Sequence, residues 1–396
     1  MENDMPTKSP YNIVIALDSF KGSLDSLQAC KALHKGLQHA FIKQNTPLHC
    51  TILPISDGGD GLLTALISAF YSQNRDNPHT LQEVLVTGPY GEKIQAQYLL
   101  HNDEAILEMA QSTGLTLTPP HKRRAIHASS YGLGEMMLDA YTKGAKKIIL
   151  GVGGSATNDG GAGCLQALGI EFYDNQGRIL AQSISPKDFN SIKKISGVIK
   201  PNDLQIEILC DVENTLLGSN GATYIYGTQK GILQGDLEFL ESQLTYFADV
   251  IEAHTGKKLR HIPKSGAAGG IVFGLSSFCS TTIQNGAKRV LELIRADEII
   301  QNADLVITGE GCLDKQSSFG KAPIGIAQKA FELGTNVIGV AGTLGKGYLE
   351  LHKHHLQAMF SIVNAPMSLQ EAMENGEELL KNFGQQLGGI LLLQNQ

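Results

Sequence analysis

Acidic residues stand beside glycines or small polar residues at four places in this chain: Asp18-Ser19, Asp57-Gly58-Gly59-Asp60, Asn158-Asp159-Gly160 and Gly309-Glu310-Gly311. Each follows a short apolar run, and Asp211 follows a fifth, Ile206-Glu207-Ile208-Leu209-Cys210. Magnesium suits such a set, because it is a hard ion that keeps several waters and takes one or two carboxylates plus phosphate oxygens. Asp57 and Asp60 are the expected magnesium ligands. Lys21 lies just past the first run and Lys321 at a helix start, and either can neutralise phosphate charge. Carboxylates, glycine loops, a metal and a lysine or two together point to phosphoryl transfer. Its loose transition state leaves the protein mainly positioning and charge stabilisation to supply.

The longest loop is Gly151-Val152-Gly153-Gly154-Ser155-Ala156-Thr157-Asn158-Asp159-Gly160-Gly161, between the apolar Ile148-Ile149-Leu150 and a small-residue helix opening at Ala162. A strand, a glycine-rich turn and a helix start make an anion site, because free N–H groups and the helix dipole both face it. Gly153, Gly154 and Ser155 are the expected anion-binding stretch, with Asn158 beside them. The same residues fit G-x-G-x-x-A, which raises the alternative of an NAD-dependent oxidoreductase. Residues 157–161 weigh against it: they delay the helix, whereas a dinucleotide fold starts its helix inside the glycine motif. There is no G-x-x-x-x-G-K-[ST] loop, and His352, His354 and His355 read as a solvated turn more readily than a metal cluster.

The elements that must hold these loops alternate as α/β. Ile13-Val14-Ile15-Ala16-Leu17 is a continuous apolar strand of the kind buried in a parallel sheet, with a helix after Ser23, Asp25 or Ser26. Thr51-Ile52-Leu53-Pro54 is a second strand, with a helix over 62–70. Residues 75–79 read as a linker, and 83–100 as an antiparallel hairpin opening an insert. The α/β rhythm resumes after Gly266-Ala267-Ala268-Gly269-Gly270. The expected organisation is a tail at 1–11, a discontinuous Rossmann/flavodoxin-like parallel-sheet α/β domain at 12–80 plus 280–396, and an inserted α/β domain at 81–279.

Composition limits the partners. A net charge of -7 gives no basic footprint for nucleic acid, and no apolar run reaches the 18 or so residues of a membrane span. The polar, acidic N-terminus is unlike a signal or transit peptide, and six cysteines without tight spacing read as reduced thiols, so a cytoplasmic location is expected.

Taken in order, these loops resemble the bacterial type-1 glycerate kinase family. The matching stretches are Asp18-Ser19-Phe20-Lys21-Gly22-Ser23-Leu24, Asp57-Gly58-Gly59-Asp60-Gly61, Val86-Thr87-Gly88-Pro89 and residues 151–163. They continue through Cys210-Asp211-Val212, Gly218-Ser219-Asn220-Gly221-Ala222, Gln229-Lys230-Gly231, Gly266-Ala267-Ala268-Gly269-Gly270, Ile307-Thr308-Gly309-Glu310-Gly311 and Gly320-Lys321. The resemblance spans roughly residues 12–390. It implies phosphorylation of the small molecule D-glycerate with ATP and Mg2+, more often at the 2-hydroxyl than the 3-hydroxyl, by a monomer or homodimer with its substrates in an interdomain cleft. On that footing Asp18, Ser19 and Lys21 hold phosphates or glycerate, and Asp159 or Asp211 orients the attacking hydroxyl. Gly58, Gly59, Gly269, Gly270, Glu310, Asp314 and Lys321 join the substrate and nucleotide contacts. Three positions depart from the family pattern: Cys312 replaces a common arginine, Leu17 a proline and Asp60 a glutamate. Cys312 motivates a second alternative, a non-catalytic metabolite sensor, and marks Arg123 and Arg124 as substitute contacts for the substrate carboxylate.

Overall fold

The structure, a computed structural model, describes residues 10–72, 79–319 and 321–393. Residues 1–9 of the expected tail, 75–78 of the linker cluster and Gly320 lie outside the described residues. Along the chain run strands β1 (Tyr11–Leu17), β2 (Leu48–Ile52), β3 (Thr80–Thr87), β4 (Lys93–His101), β5 (Glu104–Glu108), β6 (Lys147–Gly151) and β7 (Ile170–Tyr173). They are followed by β8 (Lys194–Gly197), β9 (Gln205–Leu209), β10 (Ser280–Gln284), β11 (Leu305–Leu313), β12 (Asn336–Leu344) and β13 (Ala358–Ser361). Among the described residues no helix is long and apolar enough to cross a membrane.

The chain forms two compact units: Met1–Asp57, Thr64–Asn77 and Ala287–Gln396 make the first, Gly58–Leu63 and Pro78–Gly286 the second. The cuts expected after residues 80 and 279 therefore fall after 77 and 286, and the short stretch 58–63 goes with the second unit.

The first unit is built on an all-parallel five-stranded sheet in the order β13-β12-β11-β1-β2. Ile13, Ile15 and Leu17 pack into a core with Leu33 and Leu37 of helix Ser26–Lys43 and Leu380 and Leu387 of helix Gly376–Leu393. Val14 and Ala16, pointing the other way, are equally buried, so both sheet faces are covered, as a continuous apolar strand demands. In strand order along the unit this is the flavodoxin-like arrangement, whose direction reverses between β1 and β11. Ligands of open α/β sheets bind outside the carboxyl ends of the strands at such a reversal.

The second unit carries a mixed six-stranded sheet, β10-β9-β6-β5-β4-β3, in which β10, β9, β6 and β5 are parallel and β4 and β3 antiparallel. A β7–β8 ribbon and helix Leu237–Thr255 close a further core around Phe172, Phe189 and Phe247. The carboxyl ends of the four parallel strands deliver Glu108, the loop 152–161, Asp211 and Asn285 to one edge of that sheet.

One expected loop is a strand. Gly309-Glu310-Gly311 lies inside β11, which continues to Leu313 and pairs with β12 as far as Leu344, well beyond the end of β1 at Leu17. The reason is close approach: a Cβ on Gly309 would strike the Val340 carbonyl, so glycine lets the two strands stay paired there.

Candidate active site

In the first unit the reversal point is acidic. Asp18 leaves β1 and hydrogen-bonds through its N–H to the Gly309 carbonyl, which brings it beside Glu310, the next residue of β11. Asp18 is only 9% exposed, and its Oδ1 accepts the N–H of Ser19 at 2.6 Å. Burial and the charge of Asp57 push its carboxyl up to about 8, with Glu310 adding to the rise while the Ser19 N–H and Lys21 oppose it. Glu310 accepts from Ser317 Oγ at 2.7 Å and from Lys321 Nζ at 3.0 and 3.2 Å. Burial works against the Lys321 ammonium, yet Glu310, Asp314 and Asp57 together raise it above the ordinary lysine range. Asp314 accepts the Gln316 N–H and lies 3.9 Å from Cys312 Sγ. Lys21 is exposed, while its backbone passes close to Gly311.

The second unit gathers a different set. Gly153 is pinned under the loop that begins the unit, since a Cβ there would stand 2.5 Å from Gly59 Cα. Gly154 follows with φ +72°, a left-handed turn that favours glycine. The N–H groups of Gly153 and Gly154 donate to no acceptor among the described residues. The Asp159 carboxylate, 1% exposed, accepts four hydrogen bonds: from Ser130 N–H and Oγ, Gly161 N–H and Gly163 N–H. Burial raises its pKa against those four donors. Its oxygens are thus spent on shaping the turn into helix Ala162–Ala167. Asn158 is fully buried and donates to Thr223 Oγ1 at 3.1 Å. Gly269 and Gly270 pack from behind, the Gly269 carbonyl accepting the Gly160 N–H at 2.9 Å. Asp211, half-buried at the end of β9, accepts the Gly286 N–H at 2.7 Å and the Asn285 amide.

The first unit thus gathers buried carboxylates, and the second a glycine turn whose N–H groups have no acceptor among the described residues. The model of the glycerate kinase family matches residues 13–392. The chain belongs to the glycerate kinase family. It is 39% identical to a glycerate kinase of Halalkalibacterium halodurans over 96% of this chain and 97% of the relative. It is 36% identical to the glycerate 2-kinase of Escherichia coli over 96% and 98%. A crystal structure of a Salmonella typhimurium protein assigned as glycerate kinase 2 superposes with TM-score 0.76 at 34% identity, covering 98% of this chain and 100% of that one. The chain is accordingly an enzyme, a kinase on a two-domain α/β scaffold.

Glycerate kinases need a nucleotide, and the site bears on whether magnesium fits with it. Among the described residues no three His, Cys, Asp or Glu side chains form an all-protein metal cage. Magnesium needs none, since one or two carboxylates suffice when phosphates and waters complete its shell. The Asp18 carboxyl, raised by burial and by the charge of Asp57, fits that demand. Asp57, in the first unit, acts on Asp18, and Asp60, in the second, hydrogen-bonds Glu108.

Glu108 was not among the expected residues. It is 2% exposed at the end of β5 and accepts the N–H groups of Gly61 and Leu63, capping helix Leu62–Ser72 from outside the local sequence. Burial pushes its carboxyl up to about 7, helped by Asp60 and resisted by the two N–H donors. The available signal was an acid at the carboxyl end of the apolar run Ala105-Ile106-Leu107. Arg123 and Arg124 are occupied with backbone carbonyls, of Thr118 and Gln229 and of His121 and Arg123 respectively. The glycine loop opens its helix at Ala162, eight residues past Gly154, later than a dinucleotide turn allows.

Proposed function

We propose that this enzyme transfers the terminal phosphoryl group of ATP to the 2-hydroxyl of D-glycerate, giving 2-phosphoglycerate, in the cytoplasm. The observation that carries the reading is the Asp18 carboxyl, buried against Asp57 and Glu310 at the sheet reversal, where a phosphate-bound cation is the natural partner. Asp18 and Asp57 would hold Mg2+, which when bound supplies charge neutralisation to the phosphates. Lys21 and Lys321 add positive charge on the same unit, and the Glu310 carboxylate and the buried Ser317 hydroxyl keep the Lys321 ammonium in place. Ser19 would donate to a phosphate oxygen, and Asp314 would accept from a ribose hydroxyl. In the second unit the Gly153 and Gly154 N–H groups would receive an anionic group, with Gly58 and Gly59 shaping the loop over them. Asp211 is the better of the two acids to orient the acceptor hydroxyl, because it is partly accessible while the Asp159 oxygens are saturated. The 2-hydroxyl is favoured by the likeness to a relative named glycerate 2-kinase.

A coupled assay with D-glycerate, ATP and magnesium tests the activity, and absence of ADP above background overturns it. Phosphorus NMR of the product distinguishes 2- from 3-phosphoglycerate. Tight NADH binding with indifference to ATP and magnesium would instead favour an oxidoreductase.

A further inference from the structure

Lys230 ends a short turn, Thr228–Lys230, and its ammonium is drawn into the second unit until the residue is 2% exposed. Its Nζ donates to Ser155 Oγ at 3.0 Å and to the Thr157 carbonyl at 2.7 Å. An ammonium carries three N–H donors and a full charge, so two neutral acceptors leave it short of a partner and of a counter-ion. The carboxylate that acts on it, Asp159, has its oxygens engaged by Ser130, Gly161 and Gly163. A buried cation without a paired anion is costly, and burial pulls the Lys230 ammonium down to about 7 despite the attraction of Asp159.

The contact with Ser155 gives that cost a use. Because the Ser155 oxygen accepts from Lys230, the hydroxyl hydrogen remains to be donated, and no acceptor takes it among the described residues. Ser155 directly follows Gly153 and Gly154, whose N–H groups also meet no acceptor among the described residues. Two more buried polar atoms of the same loop, Thr157 Oγ1 and Asn158 Oδ1, find no hydrogen-bond partner among the described residues. The turn that carries Lys230 is itself held: Arg123 donates to the Gln229 carbonyl at 3.3 Å, and Gly231, at φ +84°, packs against the Arg123 carbonyl. We propose that Lys230 is a positioning residue for the bound anion, its buried ammonium acting through the Ser155 hydroxyl as countercharge to a carboxylate or phosphate held on the Gly153 and Gly154 N–H groups. This rests on the anion-binding reading of the loop given above. The carboxylate would be that of glycerate and the phosphate that of the nucleotide.

The test compares full-length wild type, Lys230→Met, Ser155→Ala and the double variant by steady-state kinetics and by calorimetric titration with D-glycerate and with magnesium ATP. Lys230→Met keeps the side-chain length and removes the charge. The expected result is a rise of about tenfold or more in KM and Kd for one of the two ligands, with a smaller change in kcat. Loss confined to D-glycerate identifies a carboxylate on the loop, and loss confined to ATP a phosphate; either supports the proposal. The double variant loses no more than the weaker-binding single variant, because both substitutions interrupt one relay. A purely structural lysine would instead lower the melting temperature and kcat and leave KM alone. Unchanged affinity for both ligands in folded Lys230→Met, or strictly additive losses, overturns the proposal. If Lys230→Met does not fold, Ser155→Ala decides alone, and full affinity there overturns it. Wild type that binds both ligands yet forms no ADP would refute glycerate phosphorylation while leaving the titrations to judge Lys230.

Discussion

The two units hold charge in opposite ways at the carboxyl edges of their sheets. In the first, Asp18 is buried against Asp57 and Glu310 and pushed up to about 8. In the second, Lys230 is buried against two neutral oxygens and pulled down to about 7. Both groups are driven toward neutrality for one reason: the protein withholds a sufficient counter-ion from each. On the proposed function, the first unit would receive a cation and the second an anion. A reaction between a magnesium-bound nucleotide and a carboxylic acid brings both.

The hardest test of the first half is Asp18→Asn. The amide keeps the shape and still accepts the Ser19 N–H, but it offers no charge to a cation. We expect kcat to fall on the order of a hundredfold or more, the range seen when one charge-stabilising group is removed from a reacting centre. Stability should not fall with it, because the substitution removes repulsion from Asp57 and Glu310. Steady-state kinetics beside thermal melts would show the two effects diverge. A variant that loses stability and activity together would mark Asp18 as a structural group.

The second half is tested by pH. The displacement of Lys230 from an ordinary 10.5 to about 7 corresponds to about 5 kcal/mol of cost to the fold below pH 7. Lys230→Met removes that cost but leaves the buried Ser155 oxygen and Thr157 carbonyl without this donor, at about 1–3 kcal/mol each, so a modest net gain in Tm is expected below pH 7. The folded pKa lies below the unfolded one. Between about pH 7 and 10 the unfolded chain therefore keeps a proton that the fold has released, and wild-type stability rises with pH. The Tm advantage of Lys230→Met should be largest below pH 7 and shrink as pH rises toward 10. A difference independent of pH would mean that Lys230 stays charged throughout, paired more closely than the two neutral contacts indicate.

The contrast between the units was only half legible in the sequence. The acidic side could be read because each of its members ends or follows an apolar run, and strand periodicity fixes what lies at a strand end. That placed Asp18, Asp57 and Glu310 beyond apolar runs, although the glycines around Glu310 suggested a loop where the backbone stays paired through Leu344. The glycine loop at 151–161 was equally visible. What lay behind it was not. Lys230 sits in a stretch without periodicity, and nothing local says that its ammonium turns inward, since that depends on Ser155 lying 75 residues earlier in the chain. Glu108 was hidden for the same reason, because it caps a helix that begins 46 residues before it. Asp159 serves four donors, two of them from Ser130 29 residues earlier, a satisfaction that counting residues cannot reveal.

The finest adjustment of the acidic half is at Cys312, where the resemblance to the family leads one to expect arginine. The thiol is exposed on the β11–β12 extension, and it is raised by burial and then by the charges of Asp314 and Glu310. A field that resists a thiolate favours a guanidinium, so Cys312→Arg should be accepted by the fold with a stability change within about 0.5 kcal/mol. An exposed pair with Asp314 is worth about 0.2–1 kcal/mol, so if arginine there also assists nucleotide phosphates, kcat/KM should rise by up to about fivefold. The rate at saturating substrates and the KM for ATP measure it directly. A clear fall in kcat/KM would show that the acidic extension must keep its negative field, and the cation it awaits would then come from the ligand alone.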